Sequence, residues 1–540
     1  MKDAVRDAAI VEVRSRVLEA CIAQAQHPDG VPLDVLINDT LYHEKKRLEI
    51  DQSAVSRAGD IAFWDKVKRR LGRASELQQR RLLEKIIDRF TAEILGHFEP
   101  WVYDVSTAVL PRVLPLLLNA ASPARLATGG MPSLSDTITL EGHVDALRRS
   151  IDQGTVILLP THVSNLDSVV LGWAIFELGL PPFTYGAGLN LFNNPLLSFF
   201  MKNLGAYRVD RRKTAPLYKD VLKEYATVSL EKGQHQLFFP GGTRSRSGLL
   251  EDRLKLGLLS CGLRAYINNL KRRSDKPNVY LIPCNVSFQL TLEAETLIED
   301  HLKLVGKSRY IITDDESSRP SQVLQFLQNM AQLENAISVY IGEPLDPFGN
   351  QVDVQGESRD ARGRSVDIAR YVTDPTGAPN HDPRRDRVYT LQAGEAVRRA
   401  FRAGNTALST HVLAFALFEL LRRRFPTQDL YRMLRDAGGG IGVPMSEVAD
   451  AVGRVLERSR QLSASGALRL GSSVAGREAP EVIADALRHF GVYHSRPVAV
   501  RRGDRVFADE MNLLYYYRNR LHGYGIETAF DPESPSGEKV

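Results

Sequence analysis

Apolar and polar positions follow three successive textures along this 540-residue chain. In residues 11–25 and 76–95, apolar side chains recur at helical spacing with charges between them, which predicts a mostly helical domain over residues 1–150. Near residue 150 short, continuous apolar runs take over. Thr155-Val156-Ile157-Leu158-Leu159-Pro160 is the first, and Gln236-Leu237-Phe238-Phe239-Pro240, Val279-Tyr280-Leu281-Ile282-Pro283 and Ile337-Ser338-Val339-Tyr340-Ile341-Gly342 repeat the type. Strands covered by helices on both faces have no polar side to show, so such runs read as buried strands. Amphipathic stretches such as 217–231 and 321–334 separate them. The alternation predicts an α/β domain over 151–345 with a mainly buried mixed sheet. Residues 346–390, rich in Gly, Asp, Arg and Pro, read as a polar loop or linker, and no internal repeat is apparent in the chain. Helical spacing returns afterwards, as in Val412, Phe415, Ala416 and Leu420, and predicts a C-terminal helical domain over 391–540 with a polar tail at 532–540.

Composition narrows the class. Hydrophobic residues at 43% and charged residues at 25% are those of a folded chain with a sizeable core. Cys21, Cys261 and Cys284 are widely spaced and form no metal-like pair, so a reducing compartment and no metal are expected. The first residues lead into a charged stretch with no apolar signal core. No run reaches the roughly 20 apolar residues of a membrane span. Residues 105–121 are broken by Pro111, Arg112 and Pro115, and residues 169–191 by Glu177, prolines and glycines. The net charge of +5 suits a solvated surface or attraction to anionic lipids and substrates. Nucleic acid is not an expected partner, because no basic run is interleaved with aromatics.

The chemistry-bearing residues sit at the ends of the strand-like runs, where open α/β sheets build their sites. His162 and Asp167 follow the first. On one continuous helix they would point about 140° apart, so they meet only if the chain turns between them. Pro160-Thr161-His162-Val163-Ser164-Asn165 supplies that turn. An Asp beside His holds one ring nitrogen and favours the protonated ring once the other nitrogen accepts a proton. Alternatively, Ser164 and Asp167 fit a capping box at a helix start, with His162 incidental. A second motif, Gly205-Ala206-Tyr207-Arg208-Val209-Asp210-Arg211-Arg212, precedes a third, Phe238-Phe239-Pro240-Gly241-Gly242-Thr243-Arg244-Ser245-Arg246-Ser247-Gly248. Glycines let backbone approach a ligand, and arginines grip phosphate oxygens through paired hydrogen bonds. Solvent-facing turns are the plainer reading of both. Ile282-Pro283-Cys284-Asn285-Val286-Ser287 is a fourth, strand-like element.

In this order the four segments resemble the motifs of the glycerolipid acyltransferase superfamily: H-x4-D, G-x-x-F-x-x-R, F-P-E-G-T-R-S-R and a proline-bearing strand. Ala187-Gly188-Leu189-Asn190-Leu191, Gly342-Glu343-Pro344-Leu345, residues 405–421 and Tyr516-Tyr517-Arg518-Asn519 extend the likeness to the membrane-associated glycerol-3-phosphate 1-O-acyltransferases of bacteria and mitochondria. The resemblance implies an acyltransferase α/β domain with His162 as general base and Asp167 as its partner. It implies that Arg211, Arg244 and Arg246 hold the acceptor phosphate, that Gly242 and Thr243 shape that loop, and that Pro283 lies on the acyl-donor side. It further implies direct transfer from acyl-CoA or acyl-carrier protein to glycerol 3-phosphate, without cofactor or acyl-enzyme, by an enzyme lying on the cytoplasmic face of the membrane. Lysophosphatidate or dihydroxyacetone phosphate as acceptor, or an inactive lipid-binding scaffold, are the alternatives. The chain departs from the pattern in two places: Gly241 stands where the family has Glu, and Arg208-Val209-Asp210 interrupts the second motif.

Overall fold

The computed structural model describes residues 3–50, 54–95, 137–188, 207–305, 336–436 and 440–531. The apolar stretch 105–121, the helix expected over 321–334, the tail 532–540 and Leu189-Asn190-Leu191 lie outside the described residues. The described part of the N-terminal region holds α1 (Asp3–Gln26), α2 (Leu33–Ile50), α3 (Ala54–Leu71) and α4 (Glu76–Ile94). The first turn of α4 is closed by Gln78 Oε1, which accepts the Ser75 N–H at 2.9 Å.

Among the described residues, seven strands form one sheet: β1 (Ile138–Gly142), β2 (Thr155–Pro160), β3 (Thr184–Gly188), β4 (Tyr207–Val209), β5 (Gln236–Leu237), β6 (Val279–Phe288) and β7 (Ile337–Ile341). Their order is β1-β7-β6-β2-β5-β3-β4. Every neighbouring pair is parallel except β6 and β7, so the expected mixed α/β sheet is present. Helices α5 (Val144–Gln153), α6 (Asp167–Glu177), α7 (Pro216–Glu231), α8 (Leu256–Lys271) and α9 (Ala294–Val305) connect the strands or follow them. All six residues of β2 are buried. Val156 and Leu158 enter one core while Ile157 and Leu159 enter the other, the period-two alternation of a strand covered on both faces. A third core joins the N-terminal helices to α7, where Phe90, Ile86 and Val13 pack with Leu217, Val221 and Tyr225.

Residues 346–380, expected as a polar loop or linker, form an ordered series of turns and correct the reading that the chain has no internal repeat. Asp346, Asp353, Asp360, Asp367 and Asp374 recur every seven residues, four of them in Asp-x-x-Gly form. In those four the turn is rebuilt each time. Asp353 Oδ1 accepts the N–H groups of Gln355 and Glu357 at 2.9 Å each, and Asp360 Oδ1 those of Arg362 and Arg364 at 2.9 Å each. Each glycine sits at positive φ, from +76° to +90°. These carboxylates compete for local backbone donors and win, which is why the segment forms turns rather than helix. Short strands β8 (Gln351–Val352) and β9 (Ser358–Arg359) pair antiparallel within it.

The chain then enters α10 (Pro383–Gly404), whose first turn is capped by Asp382 Oδ1 accepting from Arg384 and Arg385. Next come β10 (Thr406–Ala407), α11 (Ser409–Arg424), α12 (Leu430–Asp436), β11 (Gly442–Pro444), α13 (Met445–Ala464) and β12 (Arg469–Leu470). α14 (Ala479–Phe490), β13 (Ala499–Arg502), β14 (Arg505–Ala508) and α15 (Met511–Arg518) complete it. The region read as helical thus also carries a three-stranded antiparallel sheet, in the order β11-β14-β13. Among the described residues no helix is long and apolar enough to cross a membrane.

Candidate active site

Strands β2, β4 and β5 run parallel through their neighbours, so the loops after them leave the sheet at the same edge. The His-Asp turn follows β2, Arg211 follows β4, and the Gly-Gly-Thr-Arg loop follows β5. Topology therefore gathers what the sequence holds apart.

The turn expected between His162 and Asp167 forms, and it is tightly built. His162 Nδ1 lies 2.9 Å from Asp167 Oδ2. The same oxygen accepts the N–H groups of Val163 at 2.7 Å and Ser164 at 3.0 Å. One carboxylate oxygen thus holds both the turn and the imidazole, while the capping box is only half formed: Asp167 accepts the Ser164 N–H, but Ser164 Oγ donates to Glu293 and α6 begins at Asp167 with no side-chain cap. The pair is almost dry, with 7% of His162 and none of Asp167 exposed. The other ring nitrogen of His162, Nε2, has no hydrogen-bond partner among the described residues.

Three contacts tie the His162 ring and peptide to the third motif and the residues just after it. The Phe239 ring stacks on the imidazole, with centroids 3.9 Å apart and planes 14° apart. Ser245 N donates to the His162 carbonyl at 2.8 Å. Glu251, at the end of the same loop, accepts the His162 N–H. The fourth motif is joined through Thr161, whose N–H reaches the Cys284 carbonyl at 2.9 Å and whose Oγ1 accepts from Val286 N at 3.0 Å.

Charge is distributed unevenly around the imidazole. Burial pushes the His162 ring well below its ordinary value, and the guanidiniums of Arg244 and Arg211 push it the same way. Burial raises the carboxyl of Asp167, opposed by the Ser164 and Val163 N–H groups and by Arg520 and Arg244. Arg211, exposed to solvent overall, is itself held below the usual arginine value by partial loss of water around its guanidinium, with Arg244 adding to the effect. Two cations that repel one another beside a neutral histidine make a place that an anion would stabilise.

The remaining expected residues separate into two groups. Gly242 adopts φ +78°, donates to the Phe239 carbonyl at 3.1 Å and so closes the turn that Thr243 and Arg244 follow. Arg246 bears on His301 of α9, whose imidazole burial lowers first and Arg246 second, and it is not among the guanidiniums that bear on His162. Pro283 is buried inside β6 opposite Leu159, with its carbonyl taken by Gly342 N at 2.8 Å. In the departing second motif, Asp210 accepts from Arg212 N at 3.0 Å, and its own N–H reaches the Tyr218 hydroxyl at 2.9 Å. Lys213 next to it spans Glu44 at 2.9 Å and Glu93 at 2.8 Å, tying the motif to the N-terminal helices.

Sequence reasoning missed Glu293, Glu251 and Arg520. Fully buried Glu293 accepts Ser164 Oγ at 2.7 Å and Asn165 N at 3.1 Å, and pairs with Arg244 at 3.4 Å, so it links the first and third motifs. Arg520, 3% exposed, donates to Asn405 Oδ1 at 3.1 Å and bears electrostatically on Asp167 and Glu251. No local spacing announces any of the three, because their partners are remote in sequence.

Residues 141–287 match the family model described as acyltransferase. A glycerol-3-phosphate acyltransferase of Pseudomonas fluorescens (strain SBW25) is 25% identical over 293 residues, which is 54% of this chain and 31% of that protein. One from Ectopseudomonas mendocina (strain ymp) is 31% identical over 199 residues, 36% of this chain and 22% of that protein. One from Pseudomonas syringae pv. syringae (strain B728a) is 27% identical over 293 residues, covering 54% and 32%. The chain therefore spans less than a third of the length of these relatives. The matches bear out the resemblance carried by the four motifs, that of the glycerolipid acyltransferase superfamily.

Proposed function

We propose that this chain is an acyltransferase of the glycerolipid type, a glycerol-3-phosphate 1-O-acyltransferase that forms lysophosphatidate for phospholipid synthesis. The observation that carries the reading is the His162–Asp167 contact at 2.9 Å, with the cations Arg211 and Arg244 bearing electrostatically on the ring. The acceptor phosphate sits against these guanidiniums, which places the sn-1 hydroxyl before Nε2. Neutral His162 takes the hydroxyl proton as the oxygen attacks the thioester carbonyl, and Asp167 stabilises the imidazolium through Nδ1–H. The tetrahedral intermediate collapses, the C–S bond breaks, and the imidazolium returns its proton to the leaving thiolate of coenzyme A or acyl-carrier protein. No acyl-enzyme, metal or further cofactor is required. Holding hydroxyl and thioester together replaces a bimolecular encounter.

In this reading Gly242 and Thr243 shape the phosphate loop, Arg246 lies at its outer edge, and Pro283 stiffens the strand behind the donor. The enzyme lies on the cytoplasmic face of the membrane, where its product partitions. Lysophosphatidate or dihydroxyacetone phosphate is the second reading of the acceptor, favoured only by the unusual glycine at 241. An inactive scaffold has less support, because the buried His-Asp pair is complete.

The test is turnover of labelled glycerol 3-phosphate, lysophosphatidate and dihydroxyacetone phosphate in vesicles, each with acyl-CoA and with acyl-carrier protein. Glycerol 3-phosphate is expected to be acylated, and His162→Ala to lose at least about 10³-fold in kcat with an unchanged melting temperature. Acylation of lysophosphatidate alone would remove the glycerol-3-phosphate assignment. Full activity in the His162→Ala protein would remove the mechanism.

A further inference from the structure

Gly241 occupies the position where the family motif has Glu, and the space beside it is already filled. A Cβ built on Gly241 would lie 2.8 Å from Cγ of Glu251, 3.5 Å from its Oε1 and 3.6 Å from its Cδ. Carbon atoms pack comfortably at about 3.5–4.0 Å, so a side chain at 241 and Glu251 in its present place exclude one another. The chain reaches this arrangement by folding the segment after the Arg-Ser-Arg loop back on its start, with Lys255 N donating to the Pro240 carbonyl at 2.6 Å.

What Glu251 does there is specific. Its Oε1 accepts the His162 N–H, while Ser245 of the same loop donates to the His162 carbonyl, so the loop holds both sides of that residue's backbone. Its Oε2 is buried with no hydrogen-bond partner among the described residues. Arg520 bears on it as a compensating cation, and Asp167 as a like charge.

We propose that Glu251 is the motif's displaced carboxylate: a positioning residue that fixes the His162 backbone from later in the same loop, with glycine at 241 because Glu251 takes up its side-chain space. The catalytic consequence rests on the acyltransferase reading. Asp167 sets the ring tautomer, and Glu251 with Ser245 sets the peptide from which the ring projects. A small rotation of that peptide moves Nε2 away from the attacking hydroxyl, a misplacement that costs rate rather than acceptor affinity.

The arrangement predicts a swap. Glu251→Ala, Glu251→Gln, Gly241→Glu and the double variant Gly241→Glu/Glu251→Ala are compared with the wild type in the full chain. The readouts are melting temperature, kcat, KM for the acceptor, and the titration of His162 by NMR. Glu251→Ala should lose about 10–100-fold in kcat with KM changed less than about threefold, and Glu251→Gln, which keeps an acceptor oxygen, should retain most activity. Gly241→Glu alone crowds two carboxylates into one space and should lower the melting temperature. The double variant should recover at least about tenfold in kcat over the poorer single variant, with recovered melting temperature and His162 titration. A double variant no better than the product of its singles, or a Glu251→Ala protein with wild-type kcat and His162 titration, would overturn the proposal. Absence of turnover in the wild type with every acceptor would instead strike the acyltransferase reading. The melting temperatures and the His162 titration would still report the swap.

Discussion

His162 is neutral at pH 7 because burial and two neighbouring guanidiniums, Arg244 and Arg211, all disfavour its charged form. A phosphate dianion bound between those cations would cancel part of their effect and lift the ring's pKa. NMR titration should therefore show His162 rising by roughly one unit or more when glycerol 3-phosphate or inorganic phosphate binds, since one unit corresponds to about 1.4 kcal/mol of changed interaction. Arg211→Gln should raise the free protein's value, shrink the response to phosphate and increase the acceptor KM about tenfold or more. An unchanged titration in both experiments would separate the arginines from the histidine. Glu251 makes a second prediction with the opposite chemistry. Burial raises its carboxyl from 4.5 to about 7, against the pull of the His162 N–H and Arg520. The folded state thus keeps a proton that the unfolded chain releases near 4.5. This contribution to stability is fully present below that pH and is lost as pH rises through about 7. Glu251→Gln cannot titrate, so its melting temperature should fall less than the wild type's between about pH 5 and pH 8. His162, Asp167 and Arg244 were legible in the sequence because each belongs to a short motif. Glu251, Glu293 and Arg520 were not, because their meaning comes from contacts with residues far away along the chain, such as Ser164 for Glu293.

The elements follow the same logic at larger spacing. The continuous apolar runs of β2, β6 and β7 announce strands because both their faces are buried. Residues Tyr207–Val209 of β4 are too few to carry a period, and only the sheet reveals them as its edge. The Asp-x-x-Gly series escaped a reading by composition, since Gly, Asp and Pro are equally the residues of linkers. Its turns can be tested by two glycines with the same backbone requirement and different surroundings. Gly349 has φ +90°, and a Cβ there would lie 2.8 Å from Ala396 Cβ and 3.0 Å from the Ala393 Cα on α10. Gly377 has φ +85° with open space around it. Gly377→Ala should cost about 1–2 kcal/mol from backbone strain alone. Gly349→Ala should cost about 1–3 kcal/mol more, because α10 must also move. Urea denaturation of the two variants gives the difference directly. Equal costs would mean that the repeat is not packed on α10 as described.

Over the whole molecule, the α/β sheet and the C-terminal helices share one core. Val156, Leu158, Ile282, Val286 and Phe288 of the sheet belong to the same cluster as Val412, Phe415, Leu417, Val452 and Leu514. The sequence marks a change of texture near 346–390, but a change of texture is not a boundary when apolar faces on either side meet. Polar contacts reinforce the junction at the site itself. The Tyr517 hydroxyl accepts from Thr291 N at 3.0 Å, and Asn519 Nδ2 donates to the Ser247 carbonyl at 2.8 Å. Gly248 lies so close to the Tyr516 backbone that an added Cβ would stand 2.1 Å from its carbonyl oxygen. Residues after 404 therefore form one wall of the third-motif loop, which in turn holds His162. Removing them would expose the apolar face of the sheet and free the loop together. A chain truncated after Gly404 should accumulate as insoluble material, and the full chain should lose its site and its C-terminal core in one thermal transition. Near-ultraviolet circular dichroism and the His162 NMR signal, followed together through the melt, give that coincidence directly. A soluble truncated protein with native melting behaviour, or a His162 environment that outlasts the C-terminal helices, would show that the two regions fold as independent units.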